Sequence, residues 1–169
     1  KLGNAPEDYS TDMLSKKAVD FIKSADGPFF LYLSFYAPHQ PYISADRHKD
    51  LFKTDAEFAR YRPENFLEDD ISDKPAWVQE IDPQVAGQDP VYIDKVYQRI
   101  LRTLMAVDDS VGQVVAALED EGIRDNTVII YMSDNGMALG DNRIFGKSCP
   151  YDICIHVPFV ISYADKIPA

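Results

Sequence analysis

Residues 127–136 read TVIIYMSDNG, six largely apolar residues that end abruptly in the polar turn Ser-Asp-Asn-Gly. Such a short apolar run, bounded by turn residues, predicts a strand buried on both faces, as in a parallel sheet. Residues 29–36 (FFLYLSFY) and 157–163 (VPFVISY) have the same character and predict two more strands. The chain therefore predicts a sheet with polar clusters at the ends of its strands.

Two helical patterns precede the first two predicted strands along the chain. Residues 10–25 carry their apolar side chains on one helical face, and residues 91–121 keep such a stripe until Gly122, a natural helix stop. Alternating helices and strands predict an α/β fold with a mainly parallel sheet flanked by helices. In such sheets ligands bind beyond the carboxyl ends of the strands.

Composition limits the function classes. The 169 residues suffice for one domain or part of one, and a 46% hydrophobic content excludes disorder as the main state. A formal net charge of -11 argues against nucleic-acid binding, and no stretch approaches the roughly 20 apolar residues of a membrane span. Prolines punctuate residues 37–90, which predicts a long irregular insertion within a single domain over residues 1–169.

Candidate site residues follow the first two predicted strands. Asp134 and Asn135 offer one charged and one neutral oxygen, which suits a hard cation such as Ca²⁺ or Mg²⁺. The alternative is that they form only a tight turn, which Asp, Asn and Gly favour. His39 lies between two prolines, where it can act as an acid or donate to an anion. The alternative there is an ordinary loop histidine.

Two further features lie in the loop after the second strand. Lys147 follows a glycine and can place an ammonium group against an oxyanion, although a solvated surface lysine is the simpler interpretation. Cys149 and Cys154 are spaced too widely for a usual zinc knuckle. Whether these two cysteines form a disulfide stays open.

Two polar groups are expected to be structural. His48 lies in a predicted surface helix, and we expect it to have no function. Asp108 and Asp109 are adjacent in the long helix, where successive side chains point in different directions. We therefore expect one of the two carboxylates to face solvent and the other to bond a neighbouring loop.

Six stretches of the chain, in their order and spacing, resemble the sulfatase family of the alkaline-phosphatase-like superfamily. They are residues 9–21 (YSTDMLSKKAVDF), 28–41 (PFFLYLSFYAPHQP), 72–77 (SDKPAW), 104–122 (LMAVDDSVGQVVAALEDEG), 126–136 (NTVIIYMSDNG) and 146–158 (GKSCPYDICIHVP). Together they cover most of the chain. The stretch at 72–77 is most similar to the branch that contains the N-acetylglucosamine-6-sulfatases.

The resemblance implies roles for four positions. Asp134 and Asn135 would ligate a divalent cation, usually Ca²⁺, with Mg²⁺ as the other choice. Lys147 would bind a sulfate oxygen, and His39 would contact the sulfate group or the leaving oxygen, so both are expected to be catalytic and substrate-binding residues. The implied reaction is hydrolysis of a sulfate ester, on a glycan or an aryl sulfate, by a secreted, periplasmic or lysosomal enzyme.

The chain departs from the family pattern at several points. Sulfatases use a formylglycine made in a C-x-P-S-R stretch, which this sequence lacks, so we expect a central-to-C-terminal segment that is inactive alone. Asn142 stands where the family's G-E-H-R has His, and His156 stands where Arg is common. Two alternatives stay open: a phosphodiester or phosphonate ester hydrolase of the same superfamily, and a non-catalytic α/β module that binds anionic sugars.

Overall fold

The computed structural model describes residues 6–82, 84, 86–164 and 166–167. The helices are α1 (Ser10–Ser24), α2 (Ala76–Gln79), α3 (Pro90–Asp120) and α4 (Asp152–Ile155), and the strands are β1 (Ile129–Met132), β2 (Ala138–Leu139), β3 (Phe145–Gly146) and β4 (Phe159–Ser162). Short 3-10 helices lie at Pro6–Asp8, Asp46–His48, Ala86–Gln88 and Arg124–Asn126. None of the described helices has the length and apolar character needed to cross a membrane.

The chain divides into two compact units. Unit 1 consists of Lys1–Glu57, Arg99–Ile129 and Ser162–Ala169, and unit 2 consists of Phe58–Gln98 and Ile130–Ile161. The assignment of residues 1–169 to part of a single domain stays a prediction.

The core of unit 1 lies between α1 and the C-terminal part of α3, and both helices confirm the predicted ones at residues 10–25 and 91–121. Ile22 of α1 is buried together with Ala117 and Leu118 of α3. Partly buried apolar side chains complete this core: Val19, Phe29, Leu31, Val114, Ile123 and Ile129. The apolar stripes seen in the sequence are therefore the surfaces that the two helices bury.

The end of α3 confirms Gly122 as the predicted helix stop. Gly122 has a φ of 69°, and its amide donates to the carbonyl of Glu119 at 2.9 Å. The amide of Ile123 donates to the carbonyl of Leu118 at 3.0 Å. These two bonds define a Schellman motif, in which a left-handed glycine satisfies the last helical carbonyls and turns the chain.

Residues 29–36 form no strand in the described part of the chain, so the predicted first strand is wrong. Phe29 and Leu31 pack on the core of unit 1, whereas Phe30 and Tyr32 are 87% and 80% exposed. An apolar run makes a segment suitable for a sheet, but a ladder also needs a neighbouring strand to supply hydrogen bonds. Residues 29–36 are also not buried on both faces as predicted, because no sheet forms around them.

The other two predicted strands are confirmed, with narrower bounds, as β1 and β4, which are hydrogen-bonded neighbours in a two-stranded sheet. Their predicted burial on both faces is wrong, because most residues of both strands are exposed. β2 and β3 form a second, antiparallel pair, with Ala138 opposite Gly146 and Leu139 opposite Phe145. The sequence indicated only loop for residues 137–156, because strands of two residues carry no periodic signal. The mainly parallel sheet stays a prediction.

The core of unit 2 is small, and the irregular insertion at residues 37–90, which both units share, stays a prediction. α2 contributes Val78, which is buried together with Ala138, Ile144, Cys149 and Cys154. This core therefore joins the β2–β3 hairpin to the loop that contains both cysteines.

Candidate active site

The polar turn after β1 is held together by its own side chains. Ser133 Oγ donates a hydrogen bond to the carbonyl of Asn135 at 2.8 Å, and Asn135 Nδ2 donates to the carbonyl of Gly136 at 2.8 Å. These bonds use the backbone carbonyl and Nδ2 of Asn135, so its amide oxygen Oδ1 is left to meet another group. Asp134, between these residues, is exposed.

Lys147 reaches this turn because the β2–β3 hairpin folds the chain back on itself. Ala138 pairs with Gly146, so Lys147 returns to the start of β2, close to the turn that precedes it. There Lys147 Nζ lies 3.3 Å from Asn135 Oδ1. The structure thus brings together three of the four predicted site residues, and we call Asp134, Asn135 and Lys147 the turn site.

Gly136 closes the turn against the loop that carries α4. Its amide donates to the carbonyl of Cys154 at 2.9 Å. A Cβ at position 136 would lie 2.0 Å from the carbonyl oxygen of Ile153, a distance that no side chain tolerates, so glycine is required. The Cys149–Cys154 disulfide bridges this loop, with 5.8 Å between the two Cα atoms. The pairing that the sequence left open is therefore formed.

The donor chemistry of the turn site fits a hard cation in part. Carboxylate and amide oxygens are the ligands that Ca²⁺ and Mg²⁺ take, and Asp134 and Asn135 offer one of each from adjacent positions. Within the described residues, no group of three or more His, Cys, Asp or Glu side chains is placed to hold a metal ion. Since Ca²⁺ takes about 6–8 oxygen ligands, this pair supplies only part of a cation site.

His39 belongs to unit 1, whereas the turn site belongs to unit 2, so a site shared by both stays a prediction. His39 is exposed and lies between two cis peptide bonds, Ala37–Pro38 and Gln40–Pro41. Its Nδ1 lies 2.9 Å from the carbonyl oxygen of Gln40, and its ring centroid is 4.9 Å from that of Tyr36. The carbonyl can only accept, so Nδ1 carries a proton and Nε2 is the nitrogen open to exchange.

The expectation that His48 is a surface residue is wrong. His48 is only 9% exposed, and its Nε2 lies 2.9 Å from Asp109 Oδ2. Arg47 Nε donates to the same oxygen at 2.8 Å, while its terminal nitrogens make a bidentate pair with Asp12 at 2.7 and 2.9 Å. We call these four residues the His48 cluster. The neighbouring Lys49 and Asp50 suggested an exposed ring, but His48 is buried and contacts Asp109 of α3.

The helical carboxylate pair behaves as predicted. Asp108 is exposed and Asp109 binds the loop residues Arg47 and His48. Burial acts to raise the pKa of Asp109, but the hydrogen bonds and charges of Arg47 and His48 outweigh it and lower the pKa. The hydrogen bond to Asp12 is the main cause that raises the pKa of Arg47 above its ordinary value.

A second polar group in unit 2 surrounds Asp141, which sequence reasoning did not identify as a site residue. Tyr61 Oη donates to Asp141 Oδ1 at 2.7 Å, and the amide of Leu139 donates to Oδ2 at 3.0 Å. Burial, and then the bond to Asp141, raise the pKa of Tyr61 well above its ordinary value. Asp141 is only 4% exposed, and its bonds to Tyr61 and Leu139 anchor the hairpin.

Asn142, at the position where the resemblance expects His, is 7% exposed and has a φ of 48°. Asn accepts this left-handed conformation more readily than most residues. Its amide donates to the carbonyl of Asn65 at 3.0 Å. An open cavity of about 370 Å³ lies beside it, lined by Asn65, Asp141, Asn142 and residues 150–153. His156, the other departure, is exposed.

Comparison with known proteins identifies the family. Residues 2–169 match the Sulfatase family, so the chain belongs to it. The chain is 36% identical over 190 residues to an arylsulfatase of Volvox carteri, covering 95% of this chain and 29% of that protein. It is 30% identical over 162 residues to the N-acetylglucosamine-6-sulfatase of Bos taurus, covering 94% of this chain and 28% of that protein. The chain thus spans under a third of either relative.

Solved structures share the fold. One protein, solved with its substrate D-glucosamine-2-N,6-O-disulfate, superposes with a TM-score of 0.74 at 23% identity, covering 92% of this chain and 43% of that one. A phosphonate monoester hydrolase from Silicibacter pomeroyi superposes with a TM-score of 0.69 at 21% identity, covering 95% and 34%. The chain therefore has part of the alkaline-phosphatase-like fold that both kinds of hydrolase share.

Proposed function

We propose that the protein to which this chain belongs hydrolyses sulfate esters, with Lys147 binding an oxygen of the sulfate group. The observation that carries this proposal is the approach of Lys147 Nζ to 3.3 Å from Asn135 Oδ1, in a chain of the Sulfatase family. Lys147 is exposed, so an anion has access to its ammonium group. A fixed positive charge stabilises the negative charge that develops on the sulfate oxygens in the transition state.

Asp134 and Asn135 are the residues that would hold a divalent cation, Ca²⁺ or Mg²⁺. A cation held there would supply a Lewis acid for an oxygen of the ester. The exposed carboxylate of Asp134 supplies the negative charge of the donor pair, and Asn135 Oδ1 supplies a neutral oxygen already held beside Lys147. The same turn therefore presents both the oxygen ligands and the cationic group that an anionic ester requires.

His39 is proposed as the residue that transfers a proton to the leaving oxygen. Its Nδ1 is engaged with the carbonyl of Gln40, so the proton that moves is the one on Nε2. A protonated imidazole can give that proton to the alkoxide or phenolate that departs from sulfur. This role needs the ring exposed, as it is.

The nucleophile is proposed to be a formylglycine elsewhere in the protein. Residues 1–169 contain no C-x-P-S-R stretch, and Cys149, which precedes a proline, is engaged in a disulfide. The covalent step needs such a nucleophile. We therefore expect the isolated chain to release no sulfate from an aryl sulfate.

The substrate class and compartment follow from the relatives and the disulfide. The relatives are named arylsulfatase and N-acetylglucosamine-6-sulfatase, which supports an aryl sulfate or a sulfated amino sugar as the substrate. A disulfide is typical of oxidising compartments. The Cys149–Cys154 bridge therefore supports a secreted, periplasmic or lysosomal location.

A comparison of esters tests the proposal. The protein containing this chain is assayed on 4-nitrophenyl sulfate, glucosamine 6-sulfate and an aryl phosphonate monoester, with sulfate and phenol release as the readouts. Faster turnover of a sulfate ester supports a sulfatase. A preference for the phosphonate supports the sister hydrolase whose fold the chain shares. Binding of the sulfated sugar with no turnover of any ester supports a non-catalytic module.

A further inference from the structure

The disulfide loop contacts both chain segments that contain the turn site, at Gly136 and at Gly146. The carbonyl of Cys154 accepts the amide of Gly136 at 2.9 Å, directly after Asn135. The sulfur of Cys154 lies 3.6 Å from the carbonyl oxygen of Gly146, directly before Lys147. A disulfide sulfur has no proton to donate, so this second contact is close packing rather than a hydrogen bond.

The contact is tight enough to transmit small movements. The carbonyl oxygen of Ile153 occupies the space where a Cβ of residue 136 would stand, at 2.0 Å. Cys149 and Cys154 are 8% and 3% exposed and belong to the core cluster that includes Ala138 of β2. The bridge therefore lies beneath the hairpin, not on a free surface loop. Closely packed groups cannot shift singly, so a displaced loop displaces the turn.

We infer that the Cys149–Cys154 disulfide is a positioning element that holds Asn135 and Lys147 side by side for anion binding. The inference rests on the proposed function, since it gives that pair its purpose. Asn135 and Lys147 are twelve residues apart and touch only at 3.3 Å through two flexible side chains. The β2–β3 hairpin brings their backbones together, and Cys154 contacts the neighbour of each.

A purely stabilising role accounts for the bridge less well. In the chain-entropy model the stabilisation by a disulfide grows with the length of the loop that it closes. This bridge joins cysteines only five positions apart, so it constrains less of the unfolded chain than a long-range bridge would. Its main consequence in the folded protein is the fixed geometry of residues 149–154 against Gly136.

Nuclear magnetic resonance of the ¹⁵N-labelled chain tests the inference. Dithiothreitol supplies two electrons and two protons, leaving two thiols and its own cyclic disulfide, and removal of the reductant with air oxidation restores the bridge. We expect reduction to shift the Asn135 side-chain amide and the Lys147 backbone amide, and reoxidation to restore both. The backbone amides of Ser15 and Gln113 should not move; these residues lie in unit 1, where Ser15 Oγ donates to Gln113 Oε1.

A sodium sulfate titration of the same samples measures the consequence. We expect the reduced chain to bind sulfate about tenfold more weakly, the lower end of the loss seen when supporting groups of a site are removed. If the oxidised chain shows no response to sulfate, the proposed function fails, while the shifts on reduction still decide the positioning role. Unchanged Asn135 and Lys147 signals on reduction overturn the inference.

A variant with an intact bridge distinguishes loss of positioning from general unfolding caused by reduction. Gly136→Ala forces a Cβ into the carbonyl of Ile153 and should reproduce the shifts of Asn135 and Lys147 and the weaker sulfate binding. Gly112→Ala is the matched control, because a Cβ at position 112 meets nothing within 4 Å. Sulfate affinity that is equal in the two variants contradicts the inference.

Discussion

The turn site and the His48 cluster are two polar groups of similar size that are built in opposite ways. In the His48 cluster, both carboxylates bind a guanidinium or an imidazole within 2.9 Å, and the ring of His48 is buried. In the turn site, Asp134 and Lys147 are exposed, and Lys147 meets Asn135 at 3.3 Å. The charged side chains of the His48 cluster are hydrogen-bonded to one another, whereas the exposed side chains of the turn site remain accessible to a ligand.

This difference predicts which group contributes to stability and which contributes to ligand binding. Filled hydrogen bonds at a partly buried site contribute to the free energy of unfolding, because removing one partner leaves the other unsatisfied. Exposed groups with open capacity contribute little to that free energy, but a ligand can bind them. We therefore expect changes in the His48 cluster to alter stability and changes in the turn site to alter binding and turnover.

The largest effect on stability is expected from His48→Ala. Removing this imidazole leaves a cavity and deprives Asp109 of a donor, which should cost about 2–3 kcal/mol of unfolding free energy. Lys147→Ala, which removes an exposed side chain, should change it by less than about 0.5 kcal/mol. Urea unfolding followed by circular dichroism measures both variants. Equal destabilisation by the two changes would contradict the claim that the His48 cluster, and not the turn site, contributes to stability.

A smaller effect, with a defined pH dependence, is expected from Asp109→Asn. The pKa of Asp109 is lowered in the folded chain, so its ionised form adds stability above its unfolded pKa of about 3.9. That stability is lost as pH falls through the folded pKa. At pH 7 the variant should lose only about 0.5–1 kcal/mol, because solvent screens this carboxylate, which is 35% exposed.

The pH profile supplies the control for Asp109→Asn. Unfolding free energy, measured between pH 2 and 7, should fall less steeply on acidification in the variant than in the parent chain. Asp108→Asn, at the exposed neighbouring position, should leave the profile unchanged. Parallel profiles for the parent and Asp109→Asn would show that Arg47 and His48 do not depress this pKa.

Local patterns predicted the elements whose partners are close in sequence. The helical stripes predicted α1 and α3, and Gly122 marked the end of α3, because a helix satisfies its hydrogen bonds within a few residues. The Asp134-Asn135 pair was found because it follows a strand directly. The approach of Lys147 was implied only by resemblance, since it depends on the short β2–β3 hairpin.

Features that depend on residues far apart in the chain could not be predicted from the sequence. His48 meets Asp109 across 61 positions, and nothing local to a loop histidine reveals that contact. Residues 29–36 have the composition of a strand, but strand formation depends on a neighbour that the run itself does not specify. The disulfide depended on a 5.8 Å approach of two Cα atoms, which spacing alone left undetermined.

The smallest effect is expected from Ca²⁺. Asp134 and Asn135 supply few of the oxygens that the ion takes, so calorimetry of the chain should give a dissociation constant of about 0.1–1 mM or weaker. At a Ca²⁺ concentration equal to that constant, stabilisation should be only about 0.4 kcal/mol. Asp134→Ala should abolish the heat, and Asp108→Ala should preserve it. Micromolar binding that Asp134→Ala abolishes would mean that the chain holds a complete site.

The rate of sulfate release by Lys147→Ala tests the central claim most directly. It is measured in the protein containing this chain, with 4-nitrophenyl sulfate as substrate. Lys16→Ala is the matched control, since it removes the same charge from an exposed lysine that pairs with Asp20. We predict a loss of about 10²-fold or more for Lys147→Ala, the effect of removing one donor to a developing oxyanion, and an unchanged rate for Lys16→Ala. Equal rates for the two variants would contradict the assignment of Lys147 to the sulfate group.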